Sequence, residues 1–117
     1  MPFMFEDLKV YKKSMELVVK IYAFCGKVSP TKNGKLFDQL QRAVLSIPLN
    51  IAEGNGRIHT REKKQYFYTA RGSLLECVPI LYICQTCGYL NNEQYKEFYQ
   101  LADEIGKMLN GLIRSIN

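Results

Sequence analysis

Three observations predict an all-α fold, and within it an antiparallel up-down-up-down four-helix bundle. Apolar residues recur three and four positions apart through four long stretches, the period of a helix with one buried face. Glycine, proline and asparagine break the chain between those stretches. The connections are short, so consecutive helices must return alongside one another. At 117 residues, 47% hydrophobic and 23% charged, the chain is expected to form one domain (1–117) with a core that needs no staples.

The first helix is expected over 7–26, with Asp7 as its N-cap and Gly26 at its stop. Its stripe is Leu8, Tyr11, Met15, Val18, Tyr22 and Cys25, and Leu17, Ile21 and Phe24 are left as a second row. Pro30 and Asn33-Gly34 break the loop that follows. The second helix, 35–55, carries Leu40, Val44, Ile47 and Ile51; the third, 60–87, opens on Thr60 as cap and ends at Cys87-Gly88. The fourth, 91–115, opens on Asn91, with Gln94 as its reciprocal capping-box partner. Its stripe is Tyr95, Phe98, Ala102, Ile105, Leu109, Leu112 and Ile116.

These stripes set registers. Pairing the third and fourth helices about Gly88–Asn91 puts Cys84 opposite Tyr95, Leu81 opposite Phe98 and Leu74 opposite Ile105, residue numbers that add to 179. The first two helices pair at 62, with Tyr22 opposite Leu40, Val18 opposite Val44 and Met15 opposite Ile47. Between the second and third, a sum of 114 or 115 places Arg42 level with Ser73 and within reach of Glu76, and Ala43 against Gly72. Besides Leu17, Ile21 and Phe24, the residues Leu45, Leu49, Tyr66, Leu75, Tyr82 and Ile83 lie off the stripes. A monomer cannot bury them all, so self-association is expected; the simpler reading is a wide core face.

The second helix is not a plain core helix. Ser46, Asn50 and Glu53 recur in it at helical spacing, and Pro48 lacks the N–H that would bond the carbonyl of Val44. With Arg42, and with Ser73 and Glu76 of the third helix, they make a candidate interhelix polar network. It reads either as a polar site or, more simply, as hydrogen bonds and ion pairs that hold the register.

The run Arg42, Ser46, Pro48, Asn50, Ile51, Ala52, Glu53, Gly54 resembles the signature of a small bacterial family, the ribosomal-protein-like proteins of 23S rRNA intervening sequences. A second element, A-x-G-S-x-x-E, stands as Ala70, Gly72, Ser73 and Glu76, and the Phe5-x-Asp7-Leu8 start and Gly88-Tyr89-Leu90 turn also fit. The resemblance runs from about Phe5 to Ile113; Pro79 departs from it, standing where relatives carry a polar residue, and bears on the straightness of its helix. It implies a four-helix bundle assembled as a homopentamer and working beside RNA. A relative, the accessory variability determinant of diversity-generating retroelements, is similar to a basic pentamer that associates with a reverse transcriptase. The resemblance thus implies RNA, DNA or a reverse-transcriptase-like enzyme as partner.

Several function classes recede. The only histidine, His59, falls in a loop, no nucleophile stands at motif spacing, and neither phosphate-cradling glycine motif is present, so no catalytic residue is expected. Of Cys25, Cys77, Cys84 and Cys87, the last two form half a metal site without a second half; all four are expected to be reduced and buried, with no metal and no cofactor. No apolar run reaches the ~18 residues that span a bilayer, and the start MPFMFEDL is no signal peptide. A cytoplasmic protein without a membrane partner is expected.

Charge supplies the positive lead. The formal charge is +5, but residues 1–71 hold thirteen Lys and Arg against six Asp and Glu, and the remainder three against five. Arg57, His59, Arg61, Lys63, Lys64 and Arg71 crowd the start of the third helix, opposed by Glu62 alone and interleaved with Tyr66 and Tyr68. A helix N-terminus is the least favourable end for cations, so the cluster breaks a local rule; the same terminus with added cations suits phosphate. Lys9, Lys12, Lys13 and Lys20 form a second strip. The expected function is a non-catalytic, oligomeric bundle that binds nucleic acid, RNA first, or a nucleic-acid-processing enzyme. The alternative is a protein scaffold that grips its partner by the apolar rows.

Overall fold

The computed structural model describes residues 3–28 and 34–116, which form four α-helices and a short 3-10 helix (Met4–Asp7). The α-helices are α1 (Lys9–Lys27), α2 (Gly34–Asn55), α3 (Thr60–Thr86) and α4 (Asn92–Arg114). Pro30 and Asn33 lie outside the described residues. α3, with 27 residues, is about 40 Å long at the α-helical rise, so the helices run along the 44 Å axis of a body 24 by 22 Å across. Each helix packs on two others, α1 and α3 both lying between α2 and α4.

Side-chain pairs give the directions. Lys20 meets Glu97 and Lys13 meets Glu104, both at 3.1 Å, so α1 and α4 are antiparallel. Between α3 and α4, Gln85 donates to Asn92 at 2.7 Å and Arg71 donates to Asn110 at 3.0 Å. Their residue numbers add to 177 and 181, bracketing the expected 179. Phe24 lies edge-on to Phe37 with centroids 5.8 Å apart, within one residue of the α1–α2 register. Together these make an up-down-up-down four-helix bundle.

The face α1 buries is wider than the expected stripe, of which Val18 and Cys25 are buried and Leu8 and Tyr11 pack against the core. Leu17 and Ile21 are fully buried and Phe24 nearly so, whereas Met15 and Tyr22 are 36% and 40% exposed. The second row is therefore core, and it belongs to the stripe Val10, Ser14, Leu17, Ile21, Phe24. Ser14 conceals that stripe in the sequence. It is wholly buried, and its hydroxyl donates to the carbonyl of Val10 at 2.7 Å, which removes its polarity from the interior. Leu45, Leu49, Leu75, Tyr82 and Ile83 do remain exposed, and Tyr66 is half-buried.

The helix ends show which local rules acted. Asp7 caps nothing: it lies in the 3-10 helix, and Leu8, with no side-chain acceptor, precedes α1. Gly26 is inside α1, which ends a residue later. At the end of α3, Gly88 takes φ +83°, a conformation glycine adopts without strain. The N–H of Tyr89 then reaches the Cys84 carbonyl (2.9 Å) and that of Gly88 the Gln85 carbonyl (3.0 Å), a Schellman closure. Asn91 and Gln94 cap α4 reciprocally, at 2.8 and 3.1 Å. Both internal prolines sit within unbroken helices, Pro48 buried in α2 and Pro79 exposed on α3.

Candidate nucleic-acid interface

The α2–α3 pair carries the polar network and the basic cluster, and its register decides what each residue meets. The Ser73 hydroxyl donates to the Ser46 hydroxyl at 2.8 Å, and the Asn50 amide donates to the same oxygen at 2.9 Å and to the Ser46 carbonyl at 2.8 Å. Ser46 and Ser73 add to 119 and Lys63 meets Asn55 at 118, three to five residues beyond the expected 114–115, although the long side chains of Gln39 and Glu76 still meet at 115. The reason is the glycine that admits the neighbouring helix. A Cβ on Gly54 would stand 2.7 Å from Phe67 Cε1, whereas one on Gly72 would meet nothing within 4 Å.

This offset scatters the rest of the expected network. Arg42 is exposed and outside it; Glu76 accepts from Gln39 instead. Glu53 pairs with Arg57 at 2.8 Å. What remains is a half-buried knot of Ser46, Asn50 and Ser73. Both hydroxyls and the Asn50 amide nitrogen are bonded within it, a structural joint rather than an open site.

The basic cluster divides into two groups. Arg57, just past α2, bonds Glu53 and the Tyr66 hydroxyl (2.9 Å), lies 3.4 Å from Glu62, and sets its guanidinium 4.9 Å from the Tyr66 ring centroid. The bond to Glu53 raises its pKa further above the ordinary arginine value. Lys63 donates to the Asn55 carbonyl at 3.2 Å. Arg71 donates to Asn110 and lies 5.1 Å over the Tyr68 ring. All three are engaged within the molecule, but Arg71 bonds the neutral Asn110 amide and has no carboxylate partner among the described residues.

The side chains of His59, Arg61 and Lys64 make no hydrogen bond or ion pair among the described residues. α3 begins at Thr60, so the residue before it is His59, not the expected Thr60, and its side chain caps nothing. The first-turn N–H groups of α3 are therefore left to solvent. A shallow hollow of about 400 Å³ lined by His59, Arg61, Glu62 and Gln65 lies at that end. A phosphate there would meet open N–H donors, the positive end of a helix dipole and the Arg61 guanidinium, with the Glu62 carboxylate drawn toward Arg57.

The second basic strip is half neutralised. Lys13 and Lys20 are paired with Glu104, Glu97 and Glu16, and the bond to Glu97 raises the Lys20 pKa. Cys25, Cys77 and Cys84 are buried, which pushes their thiols up to about 11, 12 and 11, while Cys87, expected inside, is exposed at the end of α3. Among the described residues no group of three or more His, Cys, Asp or Glu side chains is placed to hold a metal. Nor is any helix among them long and apolar enough to cross a membrane.

Comparison with known proteins agrees with this architecture. Residues 6–111 match the family model of the 23S rRNA-intervening sequence protein. A crystal structure of a protein of unknown function from the S23 ribosomal protein family of Bacteroides thetaiotaomicron superposes with a TM-score of 0.77. It is 25% identical, and the match covers 89% of this chain and 97% of that one. No curated protein matches the chain. With the family model spanning all four helices, the chain belongs to the 23S rRNA-intervening sequence protein family.

Proposed function

We propose that this protein is a non-catalytic, oligomeric bundle of the cytoplasm that binds nucleic acid, RNA in the first instance, at the α2–α3 junction. One observation carries the reading: α3 opens without a side-chain cap beside His59, Arg61 and Lys64, none of which has a carboxylate partner among the described residues. Arg57, Lys63 and Arg71 frame that surface and hold it in shape. Phosphate contact by cations supplies the sequence-independent part of nucleic-acid affinity. The family's link to 23S rRNA genes supports the same reading.

Assembly into a homopentamer, implied by the resemblance, would set several such sites on one particle and raise avidity without new contacts. The exposed Leu45, Leu49, Leu75, Tyr82 and Ile83 support an association between copies. Those same residues favour a second reading, a scaffold that grips a protein, such as a reverse-transcriptase-like enzyme, by its apolar faces.

Fluorescence-anisotropy titration of labelled RNA and DNA across salt concentrations separates the two. Affinity that falls linearly in log salt, with a shallower slope in the Arg61→Gln, Lys63→Gln, Lys64→Gln triple variant, supports the first reading. No binding at low salt removes it and leaves the scaffold.

A further inference from the structure

We propose that the outward face of α3 binds single-stranded nucleic acid, with Tyr68 as the stacking platform for an unpaired base; this rests on the nucleic-acid reading above. Arg61, Lys64, Tyr68 and Arg71 follow one another at steps of three, four and three, so they share one face over about 15 Å of helix. The carboxylates of α3 lie off that row. Glu62 turns to Arg57 and Glu76 to Gln39, both on the α2 side. The row is cationic with an aromatic in its midst, complementary to a polyanion that carries flat bases.

The two tyrosines of the cluster are not equivalent. Tyr66 is half-buried, with its hydroxyl and ring both engaged by Arg57. Tyr68 is 43% exposed, and its ring is braced by the Arg71 guanidinium at 5.1 Å, itself anchored to Asn110. A ring held by a fixed cation loses little freedom when a base stacks on it, and the cation stands ready for the adjoining phosphate.

Gly72, one turn beyond Tyr68 on the same side, adds a third observation. Glycine inside a helix costs about 1 kcal/mol relative to alanine, yet nothing within the bundle comes near enough to require it. A side chain there would meet no described atom within 4 Å, so the helix surface stays open one turn from Tyr68. A duplex offers this convex face only phosphates, because its bases are stacked on each other; an unpaired strand offers base faces as well.

The test titrates the full chain with a labelled oligouridine and with an RNA duplex of equal length, using wild type, Tyr68→Ala, Tyr68→Phe and Gly72→Gln. The expected result is tighter binding of the single strand, a loss of about five-fold or more in Tyr68→Ala, and retention in Tyr68→Phe. Gly72→Gln is expected to weaken the single strand, and duplex affinity to stay unchanged in all three variants. A fluorescent base analogue in the strand is expected to be quenched by wild type and by Tyr68→Phe alone. Equal affinity for strand and duplex, with no effect of Tyr68→Ala, overturns this inference while leaving phosphate binding intact. A Gly72→Gln variant that changes the particle mass but not single-strand affinity assigns that face to a contact between copies and also overturns it. Absence of any nucleic-acid binding at low salt, or binding of polyglutamate instead, removes both readings.

Discussion

The ammonium of Lys63, in the first turn of α3, lies 3.2 Å from the carbonyl of Asn55, the last residue of α2. A cation that is misplaced on its own helix is thus well placed on the preceding one, whose C-terminus carries partial negative charge. The short α2–α3 connection makes this possible by setting opposite helix ends side by side. The basic cluster therefore mixes a structural charge with free ones.

That division predicts opposite behaviour for neighbouring residues. Lys63→Gln should lower stability by about 0.3–1 kcal/mol in a thermal or urea melt and leave nucleic-acid affinity nearly unchanged. Arg61→Gln and Lys64→Gln remove unpaired cations from the positive end of α3, so they should leave the melt no lower, raise it by at most about 0.3–1 kcal/mol each, and each reduce the log K against log salt slope by about one. A larger affinity loss from Lys63→Gln than from Arg61→Gln would contradict the assignment.

The Ser46–Asn50–Ser73 knot predicts a coupled stability effect. Ser46→Ala removes the shared oxygen, leaves the Ser73 hydroxyl without its acceptor and leaves the Asn50 amide only the Ser46 carbonyl, so it should cost about 1–3 kcal/mol. Ser73→Ala removes one bond and should cost less, near 1 kcal/mol. A double-mutant cycle by urea denaturation should show a coupling of at least about 0.5 kcal/mol. Additive losses would mean that the serines do not support one another.

How far these features were readable depends on whether they are local or relational. The Asn91–Gln94 box and the Gly88 turn depend on a few adjacent residues, and local chemistry determines both. The α3–α4 register was readable because a five-residue connection pins it. The full width of the buried face of α1 was not, because Ser14 satisfies its hydroxyl on its own helix and so occupies a core position that its type disguises. The α2–α3 offset turned on which glycine faces the neighbouring helix, and Gly54 and Gly72 are alike until a partner is placed against them. Within the basic cluster, the six residues were visible as charge, but Arg57, Lys63 and Arg71 found partners that only the packed bundle brings near.

Thiol burial predicts a stability loss in alkali. Cys25, Cys77 and Cys84 carry folded pKa values of about 11, 12 and 11, above the ordinary 9.0, because burial disfavours the thiolate. Below pH 9 both states keep these protons, so the thiols leave stability unchanged. Between pH 9 and 12 the unfolded chain releases protons that the folded chain retains, and stability falls. Urea midpoints at pH 8 and pH 10 measure this, and Cys77→Val should flatten the decline. Cys87 alone should react quickly with a thiol reagent at pH 8, the other three only on unfolding.

The two glycines that separate the expected α2–α3 register from the observed one give a direct test of it. At Gly54 an added methyl would come within 2.7 Å of the Phe67 ring and 3.0 Å of Tyr66 Cβ, in a region already fully packed. Gly54→Ala must therefore push α3 aside or rotate Phe67, and should destabilise by about 1–3 kcal/mol. At Gly72 the methyl enters open space, so Gly72→Ala gains helix propensity without a clash and should stabilise by about 1 kcal/mol. Urea denaturation of the two variants reads both signs. The reverse order, with Gly72→Ala the damaging change, would mean that Gly72 faces α2 and that the helices pair one turn away from where they stand here.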